Sequence, residues 1–123
     1  MAEVILDVLL VEDSQTDASL SGIAIALRKP RARVGDARNL KHALDILGTR
    51  KAPRVAILGY QALQQAAGKL NGTPTVVIGF APALSPAERQ RALDWGVRAI
   101  YERPAQWSAF CDALEKMLDD WLP

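Results

Sequence analysis

The chain has 123 residues, half of them hydrophobic and 24% charged, with a formal net charge of +1. That length suits one domain, residues 1–123, with a real core, and the near-neutral balance gives no electrostatic case for nucleic acid or an acidic membrane surface. No run approaches the roughly 20 apolar residues that span a bilayer, the start has no basic secretory leader, and the lone Cys111 excludes an internal disulfide and suits a reducing cytoplasm.

Val8 to Val11 is a continuous apolar run and predicts a strand buried on both faces. Leu20, Ile23, Ala24 and Leu27 then fall at i, i+3, i+4 and i+7, one apolar stripe of a helix that Pro30 stops. A weak strand is expected near residues 32–36. Asn39 is a candidate N-cap for a second helix striped by Leu40, Ala43, Leu44 and Leu47, with Gly48 as a left-handed C-cap. Val55 to Leu58 predicts a third strand. Leu63, Ala66, Ala67 and Leu70 predict a third helix, ended by the Asn71-Gly72 turn signal.

Thr75 to Ile78 predicts a fourth strand, rich in β-branched residues. Ser85-Pro86-Ala87-Glu88 has the form of a capping box with proline at the first helical position, and that helix is expected to end near Trp95-Gly96. Ala99 to Tyr101 predicts a short fifth strand. Trp107, Phe110, Cys111, Leu114, Leu118 and Trp121 make the longest amphipathic stripe in the chain. Five alternating strand–helix units with short connections predict an α/β fold: a (βα)5, doubly wound, parallel five-stranded sheet in a three-layer sandwich of the flavodoxin or CheY type. In such folds the functional crevice lies beyond the carboxyl ends of the strands. That rule selects Glu12, Asp13, Gly59, Gly79 and Arg103.

Val11-Glu12-Asp13-Ser14 after an apolar strand resembles the metal-binding acidic pair of response-regulator receiver domains. Gly96 to Pro104 resembles their closing segment, in which a glycine-initiated strand ends in Lys-Pro; here the ending is Arg103-Pro104. Pro53 to Leu58 and Pro74 to Ile78 resemble their third and fourth strands, so the likeness runs from Val8 to about Leu118. Glu12 to Asp17 and the ending Asp119 to Pro123 are further similar to single-domain receivers that partner bacterial phytochrome kinases.

The resemblance implies a phospho-accepting aspartate after the third strand, Mg²⁺ between it and the acidic pair, a hydroxyl residue after the fourth strand and a lysine after the fifth. This chain has Gly59, Gly79 and Arg103 at those places, and Ile100 where the family carries its switch aromatic. The nucleophile is gone, and with it one metal ligand. Two remaining carboxylates are a poor site for a hard cation, with Asp13 the residual ligand candidate. The expectation is therefore a degenerate receiver without catalytic residue, cofactor or metal. In place of metal and phosphate we expect an Arg103–Asp13 ion pair, because a guanidinium suits a carboxylate.

The partner expected is a signalling protein: a histidine kinase, an effector domain or an output enzyme. Trp95, Ile100, Tyr101, Trp107 and Trp121 are the interface candidates, and a homodimer would run through the fourth helix, fifth strand and fifth helix, since tryptophan anchors interfaces. His42 reads as a solvated surface residue and Cys111 as core. Tyr60 and Phe80 follow the two glycines and are candidates either to cover or fill the emptied pocket or, equally, to shape a small-ligand cleft. Two rivals remain at this stage: a sensor that admits a small ligand beside Arg103, and a receiver that phosphorylates Asp13 with Mg²⁺.

Overall fold

The computed structural model describes residues 6–49, 52–66, 69–70 and 73–122. In chain order the elements are β1 (Val8–Val11), α1 (Gln15–Arg28), β2 (Val34–Ala37), α2 (Leu40–Leu47), β3 (Val55–Leu58), α3 (Tyr60–Gln65), β4 (Val76–Ala81), α4 (Pro86–Asp94), β5 (Ala99–Glu102) and α5 (Trp107–Trp121). The strands form one parallel sheet in the order β2-β1-β3-β4-β5. The order reverses between β1 and β3, so the crevice of a doubly wound sheet falls at the ends of those two strands.

Alternation along each strand divides the core. Leu9, Val11, Ala56, Leu58 and Val77 pack toward α2, α3 and α4. Val8, Leu10, Val55, Ile57, Ile78 and Phe80 pack toward α1 and α5, against Ala24, Ile25, Leu114, Met117 and Leu118. Both faces are covered, which is why β1 and β3 are apolar at every position.

The helix ends follow capping chemistry. Ser14 accepts from the Asp17 amide and Asn39 from the His42 amide, at 3.3 and 2.9 Å. Ser85 and Glu88 complete the capping box, at 3.1 Å in each direction. After α4 the chain turns at Gly96, whose φ of 105° lies in the left-handed region that favours glycine.

Several expectations need correction. Of the stripe assigned to α1 only Ala24 is buried, alongside Ala18, Ser21 and Ile25, while Leu20, Ile23 and Leu27 are exposed on the outer face. Small residues let this helix lie close on β1 and α5, so the bulkier apolar side chains point outward. Gly48 is right-handed, with φ −80° and ψ −1°, and its amide bonds back to Leu44, so no left-handed cap forms. β2 starts two residues later than expected. α3 is only six residues long, because the Ala66 amide reaches Leu63 and tightens the last turn. Leu63, Ala66 and Leu70 are buried as a helical stripe would have them; Ala67, Asn71 and Gly72 lie outside the described residues. β4 runs on to Ala81, which places Gly79 and Phe80 inside the strand.

Candidate functional site

β1 and β3 pair with Val11 beside Leu58, so the next residues, Glu12 and Gly59, are neighbours at the reversal point. Their backbones are fixed by the sheet: the Glu12 amide donates to Ala37 at 3.1 Å and the Gly59 amide to Val11 at 2.9 Å. Gly59 is buried and serves as N-cap of α3 without a side-chain bond. Its φ of −73° and ψ of −179° are open to any residue. The space is another matter. A Cβ at Gly59 would stand 2.1 Å from Glu12 Oε2 and 2.8 Å from Glu12 Cδ. The Glu12 carboxyl therefore occupies the place that a longer side chain at position 59 would take.

Arg103 follows β5 and is held by its amide to Ala81 at 2.7 Å. Its Nη1 lies 3.5 Å from Glu12 Oε2 and 3.4 Å from Asp17 Oδ2. The Arg103 and Glu12 side chains are mostly buried, at 20% and 13% exposure, and Asp17 is at 37%. The guanidinium thus bridges the end of β1 to the first turn of α1. This corrects the expected Arg103–Asp13 pair: Asp13 is exposed at the rim, and Glu12 and Asp17 are the acids that face inward. Asp17 gave no sequence signal beyond its place in the first helical turn.

Glu12 is pushed above the ordinary carboxylate range. Burial is the main cause, followed by its hydrogen bond to the Asp13 carboxyl and the charge of Asp17; the Ser14 amide, at 3.3 Å from Oε1, and Arg103 pull the other way. The folded protein therefore holds the Glu12 proton at a pH where the unfolded chain, with the ordinary value of 4.5, has released it. Stability from this group is present in acid and falls as pH rises from 4.5 through the folded value. Glu12→Gln stays neutral throughout. We expect it to be more stable than the parent near pH 7 and to flatten that limb of the pH–stability curve, measured by urea unfolding at a series of pH values.

Gly79 pairs with Leu58 on one side and Ile100 on the other. A Cβ there would meet both Leu63 methyl carbons at 3.1 Å and Ile100 Cγ1 at 3.3 Å. Leu63 and Ile100 thus take the space beside Gly79. The expected fillers do neither job. Phe80 packs on the opposite face, 5.4 Å from the Phe110 ring. Tyr60 is exposed and donates to Glu88 Oε2 at 2.8 Å, tying α3 to α4. Between these helices lies a cleft of about 160 Å³, lined by Tyr60, Leu63, Leu84, Glu88, Arg91 and Trp95 among others.

The interface candidates divide in a similar way. Trp121 Nε1 donates to the Tyr101 hydroxyl at 3.0 Å, and that hydroxyl donates to Asp120 at 2.8 Å. Trp95 lines the α3–α4 cleft and Ile100 lies against Gly79. Trp107 stays 42% exposed, stacked on Phe110 at 5.6 Å. Cys111 is buried, and His42 is exposed on α2 with its amide in the Asn39 cap.

No family model matches the chain, and no curated protein matches it in sequence. Solved structures do match. The phosphorylated cyanobacterial phytochrome response regulator RcpA superposes with a TM-score of 0.76 at 17% identity, over 97% of this chain and 95% of that one. A response regulator from Hahella chejuensis gives 0.76 at 16%, over 94% and 93%. A response regulator in red light signalling of R. palustris gives 0.75 at 18%, over 95% and 94%. The chain has the fold of a response-regulator receiver domain.

Within that receiver fold the donor set at the crevice suits a hard cation poorly. Glu12 is turned toward Arg103 and Asp17, with Asp13 beside it at the exposed rim; among the described residues no group of three or more acidic, histidine or cysteine side chains is placed to hold a metal ion. Mg²⁺ favours several oxygen ligands in near-octahedral order. The residues at this crevice do not fit it. No helix among the described residues is long and apolar enough to cross a membrane.

Proposed function

We propose that this receiver is a phosphorylation-independent interaction module of bacterial two-component signalling, and not an enzyme. The observation that carries the reading is the Glu12 carboxyl standing in the space at Gly59, with Arg103 set against Glu12 and Asp17. An internal arrangement of side chains fills the place where a receiver would build its acyl phosphate. Without a nucleophile there is no attacking atom, so the output of the domain is set by what it touches. The partner is a kinase, an effector domain or an output enzyme in the cytoplasm. The α4–β5–α5 side offers it Leu93 and Trp107, the large apolar side chains exposed there. A ligand beside Arg103 would need the space that Glu12, Leu63 and Ile100 occupy, which counts against the sensor reading.

The test is an amide NMR titration with Mg²⁺ and then beryllofluoride, a mimic of the acyl phosphate. The expected result is no saturable shift at Asp13, Gly59 or Arg103, and no added mass after incubation with acetyl phosphate. Saturable shifts at those residues, or a phosphoryl adduct on Asp13, would overturn the reading.

A further inference from the structure

The cleft between α3 and α4 is built from two facing helix stripes. On α3 it takes Tyr60, Leu63 and Gln64, at i, i+3 and i+4. On α4 it takes Glu88, Arg91, Ala92 and the C-cap Trp95, at i, i+3, i+4 and i+7. Leu84, in the connection before α4, adds an apolar wall. Leu63 and Ala92 are buried, while Leu84 and Trp95 are half-buried and packed on the same core. The volume is about 160 Å³, close to the roughly 150 Å³ apolar cavity that takes up one benzene ring. Apolar walls with a few polar groups are the common form of a small-molecule site, and the Trp95 ring gives this one an aromatic wall.

The polar groups decide which small molecule fits. Glu88 has both carboxylate oxygens engaged: Oε1 accepts from the Ser85 amide at 3.1 Å and Oε2 from the Tyr60 hydroxyl at 2.8 Å. Arg91 lies one turn further along α4. Its charge acts on both Tyr60 and Glu88, yet its guanidinium makes no hydrogen bond or ion pair among the described residues. The cleft therefore has its acid committed and its base available. An incoming carboxylate meets a planar fork that suits it. An incoming cation meets the Arg91 charge and a carboxylate whose oxygens both already accept.

We propose that the α3–α4 cleft binds a small aromatic carboxylate, with its ring among Leu63, Leu84, Ala92 and Trp95 and its carboxylate on Arg91. The site uses neither Glu12 nor Arg103 and does not rest on the reading of Gly59. Leu63 joins the two regions: it lines the cleft, and its methyl carbons lie 3.1 Å from where a Cβ at Gly79 would stand. A ring bound in the cleft thus rests on the residue that takes the space beside Gly79.

Titration of the full chain at pH 7 with benzoate, benzamide and acetate tests it, followed through the backbone amides and the tryptophan indole N–H signals. Benzamide keeps the ring without the charge, and acetate keeps the charge without the ring. The expected result is saturable benzoate shifts at Tyr60, Leu63, Gly79, Arg91 and the Trp95 indole, with a Kd of about 1–10 mM for a ligand of this size. Benzamide should bind about 10-fold more weakly, and acetate should give no saturable shift at the Trp95 indole. Arg91 is exposed, so Arg91→Gln keeps the fold, as its amide spectrum will verify. It should bind benzoate about 10-fold more weakly and benzamide unchanged. Tyr60→Phe releases Glu88 Oε2 to take Arg91 and should weaken benzoate by about 2- to 5-fold. A benzoate response at the cleft that does not saturate overturns the proposal. So does equal binding of benzoate and benzamide by the parent. Benzoate shifts that survive Arg91→Gln, or that gather at Arg31 and Arg54 instead, overturn it as well.

Discussion

Gly59→Asp, which places a carboxylate at the end of β3, is expected to lose about 2–4 kcal/mol of unfolding free energy at neutral pH without divalent cations. The backbone is not the obstacle. Its dihedrals at Gly59 are ordinary, and aspartate is slightly better than glycine at an N-cap, by a few tenths of a kcal/mol. The loss comes from Glu12. With Oε2 only 2.1 Å from the new Cβ, the Glu12 carboxyl has to swing away. It then gives up its place beside Arg103 and the Ser14 amide. A second carboxylate also enters a buried site whose first is already held above its ordinary value by burial and by Asp13 and Asp17. Gly59→Asn brings nearly the same bulk without the charge and is expected to lose about half as much. Millimolar Mg²⁺ should recover part of the loss in Gly59→Asp, where three carboxylates then converge, and none in Gly59→Asn. Urea unfolding of the three proteins, with and without Mg²⁺, makes the comparison. A Gly59→Asp protein as stable as the parent, with the Glu12 side-chain resonance unmoved, would refute the occupation of that space by Glu12.

The fold was largely legible because its signals are local. Val8–Val11 and Val55–Leu58 are apolar runs bounded by polar or turn residues, and both strands match their predicted bounds. Asn39 and Ser85 announce helix starts through chemistry confined to four residues. The α1 helix shows where local reading stops. It is apolar on two faces, and spacing cannot say which one meets the sheet. The spacing pointed to Leu20, Ile23, Ala24 and Leu27, yet the side that meets the core is Ala18, Ser21, Ala24 and Ile25. β4 was cut short at Ile78 because a glycine suggests an end; two pairing neighbours carry the strand past it.

At the crevice, strand order placed Glu12, Gly59 and Arg103 just past strand ends, where the structure has them, whereas Gly79 lies inside β4. Their partners had no such signal. Asp17 meets Arg103 only because the fold brings the first turn of α1 within reach of the Arg103 guanidinium, a contact 86 residues apart in sequence. Which atom fills the space at Gly59 depends on one glutamate rotamer, and sequence carries no signal for that. Aromatic bulk beside each glycine made Tyr60 and Phe80 the obvious fillers. Strand parity sends Phe80 to the other face, and the start of α3 carries Tyr60 outward to Glu88.

Gly79→Thr, which places a hydroxyl in the middle of β4, is expected to lose about 1–3 kcal/mol. The gain is real but smaller: threonine is favoured over glycine in a strand, on a scale spanning about 1 kcal/mol. Against it, a Cβ at Gly79 presses on both Leu63 methyl carbons at 3.1 Å and on Ile100 at 3.3 Å. Leu63 is 3% exposed and packed between α3 and the sheet, so it has little room to yield. The added hydroxyl also needs a hydrogen-bond partner in a buried strand. Positions 63 and 79 should therefore be energetically coupled. Leu63→Ala alone should cost about 2–5 kcal/mol through the cavity it opens, but it also vacates the space that threonine needs. In that background Gly79→Thr should be near neutral or stabilising, giving a double-mutant coupling of about 1–3 kcal/mol. Urea unfolding of the four proteins measures it. Strict additivity would mean that Leu63 is not what fills the space beside Gly79. A coupling of the expected sign would mean that Leu63 holds the space that a hydroxyl side chain at position 79 needs.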